Sequence, residues 1–329
     1  MRCVVLDIGG TNVRLSYVAG ADAALADIVS MKCASFATIE DAFAAYAAQI
    51  GLDEKLNGAR LDAVAIAAAG SVNTDVVSIT NNHWDFEKKA LCKALPTECL
   101  LVINDFTAQA LAQSNPAGNG NLPILHGISD DQNPLLVIGP GTGLGVSALL
   151  PTSMGPLAIE GHGGHVSFGP RSEIEVALND HARQKFDNVT VEHFVCGAGL
   201  EAIYEFLAGH QSPRPEKLLA PEIGAKAVSE NGLCRDAALM MLDILGTAVA
   251  DHTLSFGAWR GAVIAGGIVP QLHPLISASN FAERVRSVGV MSPLMANLPV
   301  WLSVDPYAGL RGAMAALASP HLASKIIFV

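Results

Sequence analysis

The sequence has little charge, few aromatic residues and no long apolar run. Charged side chains make up 16% of the 329 residues and aromatic side chains 5%, whereas 50% of the residues are hydrophobic. A disordered chain is excluded, because such chains are poor in apolar residues, and aliphatic residues and alanine have to fill the core. Apolar runs such as 135–138 and 262–265 are far shorter than the roughly 20 residues of a membrane span.

Paired cysteines are also absent. The six cysteines form no CxxC pair and show no spacing typical of a zinc ribbon or a disulfide scaffold, so we expect reduced, mostly buried thiols. Asp7 is an acidic residue at the place where a secretory signal needs its hydrophobic region. We therefore expect a cytoplasmic protein without a membrane partner.

Positive charge is scarce as well. The chain has 20 Lys and Arg against 31 Asp and Glu, a formal net charge of −11, and no basic cluster is visible. Binding to nucleic acid through counterion release needs such a cluster, so we expect no nucleic-acid partner. Because the net field repels a polyanion, any phosphate site has to be built locally from backbone N–H groups and a metal ion.

The chain is long for one domain and contains a partial internal repeat. Its length favours two lobes, each with its own core. Residues 5–13, VLDIGGTNV, align with residues 136–144, LVIGPGTGL, at an offset of 131. The first copy predicts a strand, a tight turn over 9–12 and a returning strand. We therefore expect two lobes that open with the same hairpin.

The first Gly-rich turn is a candidate phosphate site. Glycines let the backbone approach a phosphate, successive N–H groups form an anion-binding nest, and Thr11 and Asn12 add donors. Asp7 can hold a magnesium ion through water, because Mg²⁺ prefers carboxylate oxygen and keeps much of its hydration. A Gly-rich hairpin with a capping aspartate is the alternative for these residues alone, and the repeat favours phosphate binding.

Two further Gly-rich turns follow. Residues 139–145, GPGTGLG, lack the GK[ST] of a Walker A loop and the strand-to-helix context of a Rossmann fingerprint. Their pairing by repeat with the first turn favours phosphate binding over a plain flexible turn. The diglycine Gly266 and Gly267 follows an apolar strand and suits an adenine or ribose lying against backbone, although alone it is a weak signal.

Asp105 follows the short aliphatic strand 100–103. A carboxylate at the carboxyl end of a strand can accept a hydroxyl proton during phosphoryl transfer, as the catalytic aspartate of a kinase does. For an isolated residue in this position, capping of a helix that begins at Phe106 is the commoner explanation.

Carboxylate and imidazole groups cluster after the second turn. Glu160, His162 and His165 lie in the sequence EGHGGH, and Glu192 lies downstream. The flexible glycine spacing lets these groups converge on a polyol, whose hydroxyls both donate and accept hydrogen bonds. The two histidines can instead bind a metal ion, but the spacing supplies no third ligand.

Together these motifs resemble the bacterial glucokinase family of the sugar kinase, Hsp70 and actin superfamily. The resemblance covers nearly the whole chain and is carried by DIGGTNVR at 7–14, TNNHWDF at 80–86, INDFTA at 103–108, GPGTGLGV at 139–146, GGHVSF at 163–168, VEHFVCGAGL at 191–200 and AGGIVP at 265–270. It implies an α/β, two-lobed actin-like ATPase (ribonuclease H-like) fold. Each lobe is then a mixed sheet flanked by helices, with the active site in the cleft between them. The implied domains are a small lobe, 1–109 plus 312–329, and a large lobe, 110–311.

The resemblance also implies a reaction: the γ-phosphoryl group of ATP passes to the 6-hydroxyl of glucose, with Mg²⁺ as cofactor, in the first step of glycolysis. Asp105 is then the base, Asn104 and His165 contact the sugar, and Glu192 binds hydroxyls near the anomeric end. The residues implied to bind ATP are Leu6, Asp7, Ile8, Gly9, Gly10, Thr11, Asn12, Gly141, Thr142, Gly143, Gly266 and Gly267. A homodimer is expected from the resemblance and from the frequency of symmetric pairs.

One position departs from the family pattern. Relatives usually read Glu-Gly-Gly-His, whereas this chain has His162 in place of the sugar-binding glutamate and Glu160 two residues earlier. Either Glu160 reaches the sugar, or His162 replaces the carboxylate as a hydroxyl partner. A neutral imidazole accepts one hydrogen bond where a carboxylate accepts several, so a kinase for mannose, fructose or an amino sugar is one alternative. A sugar-sensing relative that has lost catalysis is the other.

Overall fold

The computed structural model describes residues 1–20, 24–209, 211–213 and 215–329. These form two compact units. Unit 1 contains Met1–Ser114, Pro151–Glu160 and Asp305–Val329, and unit 2 contains Asn115–Leu150 and Gly161–Val304. The lobe boundaries after residue 109 and before residue 312 stay a prediction.

In the described chain, groups of strands are interleaved with groups of helices. The strands are β1 Arg2–Ile8, β2 Asn12–Ala19, β3 Leu25–Lys32, β4 Ala63–Ala68, β5 Val76–Ser78, β6 Asp85–Glu87, β7 Cys99–Asn104, β8 Leu122–Leu125, β9 Leu135–Pro140, β10 Leu144–Leu150, β11 Leu157–Gly161, β12 Gly261–Ile264, β13 Val300–Leu302 and β14 Ile327–Phe328. The helices are α1 Ile39–Ile50, α2 Leu52–Leu56, α3 Lys88–Ala94, α4 Asp105–Ala112, α5 Glu173–Ala182, α6 Gly197–Ala208, α7 Ala220–Ser229, α8 Leu233–Phe256, α9 Val269–Leu272, α10 Phe281–Arg286, α11 Ser292–Met295 and α12 Ala308–Leu317.

The first sheet has the strand order β14-β7-β4-β1-β2-β3. Strands β1 and β2 form the predicted hairpin, and their antiparallel register sets Asp7 opposite Arg14. Strand β1 runs parallel to β4, and β4 runs parallel to β7, so that Ile8, Ala68 and Asn104 lie side by side. Because parallel strands end at the same edge of a sheet, the first Gly-rich turn and Asp105 share one edge.

The second sheet repeats this plan in the order β11-β10-β9-β12-β13-β8. Strands β9 and β10 form the second predicted hairpin, with Pro140 opposite Leu144. Strand β9 is parallel to β12, which is parallel to β13. The second Gly-rich turn and the diglycine turn after β12 therefore lie at one edge, as the first turn and Asp105 do in the other sheet. In both sheets an antiparallel strand, β14 or β8, closes the parallel side.

Each unit buries its own apolar core. The larger core contains residues between 125 and 302, and the smaller one contains residues between 4 and 102. In both sheets the central hairpin strand is almost completely buried, which holds its terminal turn in a fixed position. Within the part of the chain described here, no helix combines the length and apolar character that crossing a bilayer requires.

Candidate active site

The first Gly-rich turn is held by hydrogen bonds from two sides. The Gly9 N–H donates to the Asn12 carbonyl at 3.0 Å, and the Asn82 side-chain amide donates to the Gly9 carbonyl at 3.2 Å. A Cβ at Gly10 would lie 3.1 Å from the carbonyl oxygen of Thr80, so only glycine fits without a shift. Thr11 is exposed at the tip of the turn. The backbone is thus fixed by residues 80–82, one of the segments that carry the family resemblance.

The strand residues implied to bind ATP differ in what they can offer a ligand. The side chains of Leu6 and Ile8 are completely buried in the core, so these two residues can present only backbone groups. Asn12 is half-buried at the start of β2. What this turn can offer an anion is therefore mainly backbone N–H groups, as in an anion-binding nest.

Asp7 lies beside a guanidinium group and a glycine. The Arg14 Nη1 donates to the Asp7 Oδ2 at 3.2 Å, and the Asp7 side chain is 14% exposed. Gly309 in α12 faces the carboxylate, and a Cβ there would lie 2.6 Å from the Asp7 Cγ. Burial raises the pKa of Asp7, and the neighbouring Arg14 opposes this change. The missing side chain at Gly309 leaves room for the carboxylate.

Helix α4 begins at Asp105, and Asn104 is its N-cap. The Asn104 Oδ1 accepts hydrogen bonds from the N–H groups of Phe106 and Thr107 at 2.9 and 3.2 Å. The Asn104 amide nitrogen donates to the Gly70 carbonyl at 3.1 Å and to the Asp105 Oδ1 at 2.9 Å. The capping role that was the alternative for Asp105 is therefore filled by Asn104, whose amide also orients the Asp105 carboxylate.

The environment of Asp105 shifts its proton equilibrium. Burial, with the nearby charge of Asp7 as a smaller cause, raises the pKa of Asp105 to about 7, although hydrogen bonds from Phe106 and Asn104 oppose the shift. A general base is most effective when its pKa lies near the working pH. Asp105 is accordingly suited to accept a proton near neutral pH.

The second Gly-rich turn belongs to a hydrogen-bonded cluster in unit 2. The Gly141 N–H donates to the Gly143 carbonyl at 2.7 Å, and Thr142 is exposed between them. Gly266, at φ +85°, packs so closely on the end of β9 that a Cβ would overlap the Pro140 carbonyl oxygen. The structure thus brings Gly266 against the strand that ends in this turn, while the neighbouring Gly267 faces open space.

The sugar-side residues His165 and Glu192 lie beside the same turn. His165 is in the 3₁₀ turn Gly163–His165, and its Nδ1 is 3.9 Å from the Glu192 Oε1. The Glu192 Oε2 accepts a hydrogen bond from the Leu144 N–H at 2.7 Å. His162 is exposed, with its ring centroid 6.3 Å from that of His165. Three of the residues assigned to the sugar therefore come together in unit 2.

Glu160 has other partners. Its Oε1 accepts a hydrogen bond from the Asn73 amide at 2.9 Å, and its Oε2 lies 3.6 Å from the Lys325 Nζ. The side chain is 15% exposed. His162 stands where relatives have the sugar-binding glutamate, and the sequence left either His162 or Glu160 as the hydroxyl partner. The geometry favours His162, because the Glu160 carboxylate is already engaged within unit 1.

We expect Glu160→Gln to change the glucose KM by less than about threefold, because a glutamine keeps the Asn73 contact and loses only a partly exposed ion pair. His162→Ala is the matched variant and should raise the glucose KM by about fivefold, the size of one lost hydrogen bond. Steady-state kinetics with glucose at saturating ATP measures both. The reverse order of effects would show that Glu160 is the sugar ligand.

A family model places the chain among known proteins. The model described as Glucokinase matches residues 4–320. The chain belongs to the glucokinase family. The resemblance drawn from the sequence motifs is confirmed, because the match extends over nearly the whole chain.

Individual relatives agree with the family model. The glucokinase of Neisseria gonorrhoeae is 37% identical over 320 residues, which are 97% of this chain and 95% of that protein. The crystal structure of a glucokinase from an Antarctic psychrotroph has a TM-score of 0.81 at 29% identity and covers 96% of this chain and 98% of its own. A ROK family glucokinase from Streptomyces griseus, in complex with glucose and AMPPNP, has a TM-score of 0.64 at 20% identity and covers 95% of this chain and 98% of its own. The predicted two-lobed, actin-like ATPase fold is confirmed for this glucokinase-family chain.

The donor set of the glucokinase-family chain fits magnesium held chiefly by a nucleotide. Among the residues that the structure describes, no group of three or more His, Cys, Asp and Glu side chains is arranged to hold a metal ion. Mg²⁺ bound with nucleotides typically keeps several waters and takes one or two carboxylates together with substrate phosphates. Asp7 beside the first turn fits that pattern, whereas within the described ranges no third metal-ligating side chain joins His162 and His165.

Sequence reasoning overlooked several residues that support the site. Arg14 belongs to the first motif. The predicted hairpin sets Arg14 opposite Asp7, and this register could have identified it as the partner of the carboxylate. Gly70 and Gly309 had no such signal, because each meets Asn104 or Asp7 only through the folding of distant segments.

Proposed function

We propose that the chain is an ATP-dependent glucokinase, which transfers the γ-phosphoryl group of ATP to the 6-hydroxyl of glucose and so catalyses the first step of glycolysis. The observation that carries the proposal is the position of Asp105. Its hydrogen-bonded carboxylate lies at the carboxyl end of β7, on the sheet edge that also carries the first Gly-rich turn. Membership of the glucokinase family supports the same reaction.

Asp105 acts as the base in the proposed reaction. Its carboxylate accepts the proton of the attacking hydroxyl as the bond to the γ-phosphorus forms and the bond to the β-phosphate oxygen breaks, which gives glucose 6-phosphate and ADP. Asn104 holds this carboxylate through its amide hydrogen bond. His165 and Glu192 bind sugar hydroxyls, and His162 supplies a further partner.

The two Gly-rich turns bind the phosphates of ATP in this proposal. The N–H groups of Gly9 and Gly141 are donated within the turns. The remaining backbone N–H groups of 9–12 and 141–143 are the phosphate donors, and they need no net positive charge, which suits a chain whose overall charge is −11. Gly266 and Gly267 lie beside the adenosine. Bound Mg²⁺, held through water by Asp7, would neutralise phosphate charge.

The proposal is tested by measuring ADP formation from ATP with each of several hexoses. We expect the highest kcat/KM for glucose, with mannose, fructose and glucosamine lower, and no turnover without Mg²⁺. A preference for another hexose would assign a different substrate, and sugar binding without ADP formation would indicate a sensing protein. The proposal includes a symmetric homodimer, which light scattering of the purified chain tests.

The reaction should depend on pH through Asp105. Only the ionised carboxylate accepts a proton, and its pKa is raised to about 7. We therefore expect kcat/KM, which reports the free enzyme, to fall about tenfold per pH unit on the acid side of about pH 7. Initial rates with glucose and ATP both well below their KM values, between pH 5.5 and 9, measure this, with thermal unfolding at each pH as the control. A kcat/KM that stays constant down to pH 5.5 contradicts the assignment.

A further inference from the structure

Residues 192–197 contact the second Gly-rich turn at two points. At one end, the Leu144 N–H donates to the Glu192 Oε2 at 2.7 Å. At the other end, the Gly197 N–H, in the first turn of α6, donates to the Gly141 carbonyl at 3.1 Å. The turn therefore has a hydrogen bond to this segment on each side.

The segment between these two points is rigidly packed. Phe194, Val195 and Cys196 are each at most 4% exposed. The Cys196 Sγ accepts a hydrogen bond from the Gly199 N–H at 3.3 Å, and a Cβ at Gly199 would overlap the Phe194 backbone. A displacement at one end is consequently transmitted to the other end, since close-packed side chains leave little room for independent movement.

Glu192 also contacts the middle of the turn. A Cβ at Gly143 would overlap the Glu192 Oε2, so the carboxylate fills the space that a side chain there would need. The other oxygen, Oε1, faces His165 at 3.9 Å, and the side chain is 29% exposed. A carboxylate has acceptor sites for several hydrogen bonds. The Glu192 carboxylate can thus accept a hydrogen bond from a sugar hydroxyl while it holds the second Gly-rich turn.

We propose that residues 192–197 form a positioning element that couples sugar binding to nucleotide binding, an inference that rests on the proposed function. A sugar hydroxyl bound to Glu192 fixes the carboxylate, which fixes the Leu144 N–H and the turn 141–143. The Gly197 hydrogen bond to Gly141 holds the other side of the turn to the same segment. Nucleotide bound to the turn fixes Glu192 in return, because coupling between two ligands is reciprocal.

The variant Gly197→Pro tests this element. Proline removes the N–H that donates to the Gly141 carbonyl, and its Cδ takes the place of that hydrogen, so the carbonyl is also pushed away from the segment. Proline otherwise suits the first position of a helix, and the preceding Cys196 is already extended at φ −163° and ψ −177°. The matched control is Gly197→Ala. It keeps the N–H, and its Cβ would make ordinary contacts, 3.8 Å from the Gly141 oxygen and 3.9 Å from the Ala220 Cβ.

Calorimetric titration of glucose with and without Mg-AMPPNP, and the reciprocal titration, measures the coupling. In the unsubstituted chain and in Gly197→Ala, we expect each ligand to tighten the other by about fivefold or more. In Gly197→Pro we expect this factor to fall to within about twofold of one, while the Kd of glucose alone changes by less than about threefold. Equal coupling in the two variants, or a factor of one in the unsubstituted chain, overturns the inference.

Gly143→Ala tests the same element from the opposite side. Because an alanine there displaces the Glu192 carboxylate, we expect the Kd of glucose measured without nucleotide to rise by about fivefold or more. If Gly143 contributes only to phosphate binding, the substitution will leave this Kd unchanged. That result overturns the inference even if Gly197→Pro fails to fold. Failure of the unsubstituted chain to phosphorylate glucose would refute the proposed function, whereas turnover without coupling refutes only the positioning element.

Discussion

Asp105→Asn should lower kcat by about 10²- to 10⁴-fold while glucose affinity stays within about tenfold. Asparagine has nearly the shape of aspartate, and its side-chain oxygen can still accept the hydrogen bonds that Asn104 and Phe106 donate at 2.9 and 3.0 Å. It has no carboxylate to accept the proton of the attacking hydroxyl. The loss should therefore fall on the chemical step, and titration with glucose separates it from sugar binding.

The same substitution should not weaken the fold at alkaline pH. The folded protein raises the pKa of Asp105 to about 7 from its ordinary value of 3.8. Its folded state therefore binds more protons than the unfolded state between these values, and this residue's contribution to stability falls as the pH rises through that range. A neutral asparagine lacks this effect, so we expect Asp105→Asn to melt at or above the temperature of the unsubstituted chain at pH 8. A fall in both melting temperature and glucose affinity would instead indicate a structural role for Asp105.

Gly312→Ala should destabilise unit 1 by about 3 kcal/mol. A Cβ at Gly312 would overlap the carbonyl oxygen of Ala108, so α12 and α4 could no longer approach as closely as they do. The obstacle is backbone, which cannot rotate away as a flexible side chain can. Because α4 begins at Asp105 and α12 carries Gly309 beside Asp7, separating the two helices should also reduce activity in the surviving folded protein.

Gly224→Ala is the control for the helix substitution. This glycine also lies inside a helix, α7, but the nearest atom to its added Cβ would be the Leu272 Cδ2 at 3.8 Å. Replacing a helical glycine by alanine where there is room stabilises by about 1 kcal/mol or less. Urea unfolding of both variants measures the difference. Similar stabilities for Gly312→Ala and Gly224→Ala would show that the close approach of α12 to α4 is not required.

The features predicted well from sequence are those set by local pattern. The two hairpins follow from apolar strands that flank Gly-rich turns, and the placement of Asp105 follows from a strand that ends just before it. Family membership could be recognised from the sequence because each motif, such as 7–14, is a short continuous segment. In these cases the neighbours in the fold are also neighbours in the chain.

The features that sequence could not predict depend on distant contacts. Asn104 and Asp105 are both good capping residues, and only the helix geometry shows that Asn104 supplies the cap. Glu160 is engaged by Asn73 and Lys325, from segments far away in the sequence. The close packing of Gly312 on Ala108 has no local signature, because small residues in a helix do not show which distant segment packs against them.

The most direct test of the central claim is ³¹P NMR of glucose, ATP and Mg²⁺ with the unsubstituted chain and with Asp105→Asn under identical conditions. For the unsubstituted chain, the glucose 6-phosphate signal should grow in step with ADP. For Asp105→Asn, both signals should grow at least about 100-fold more slowly, although calorimetry shows glucose bound. Sugar phosphate formed at equal rates by the two proteins, or ADP released without sugar phosphate, would contradict the account.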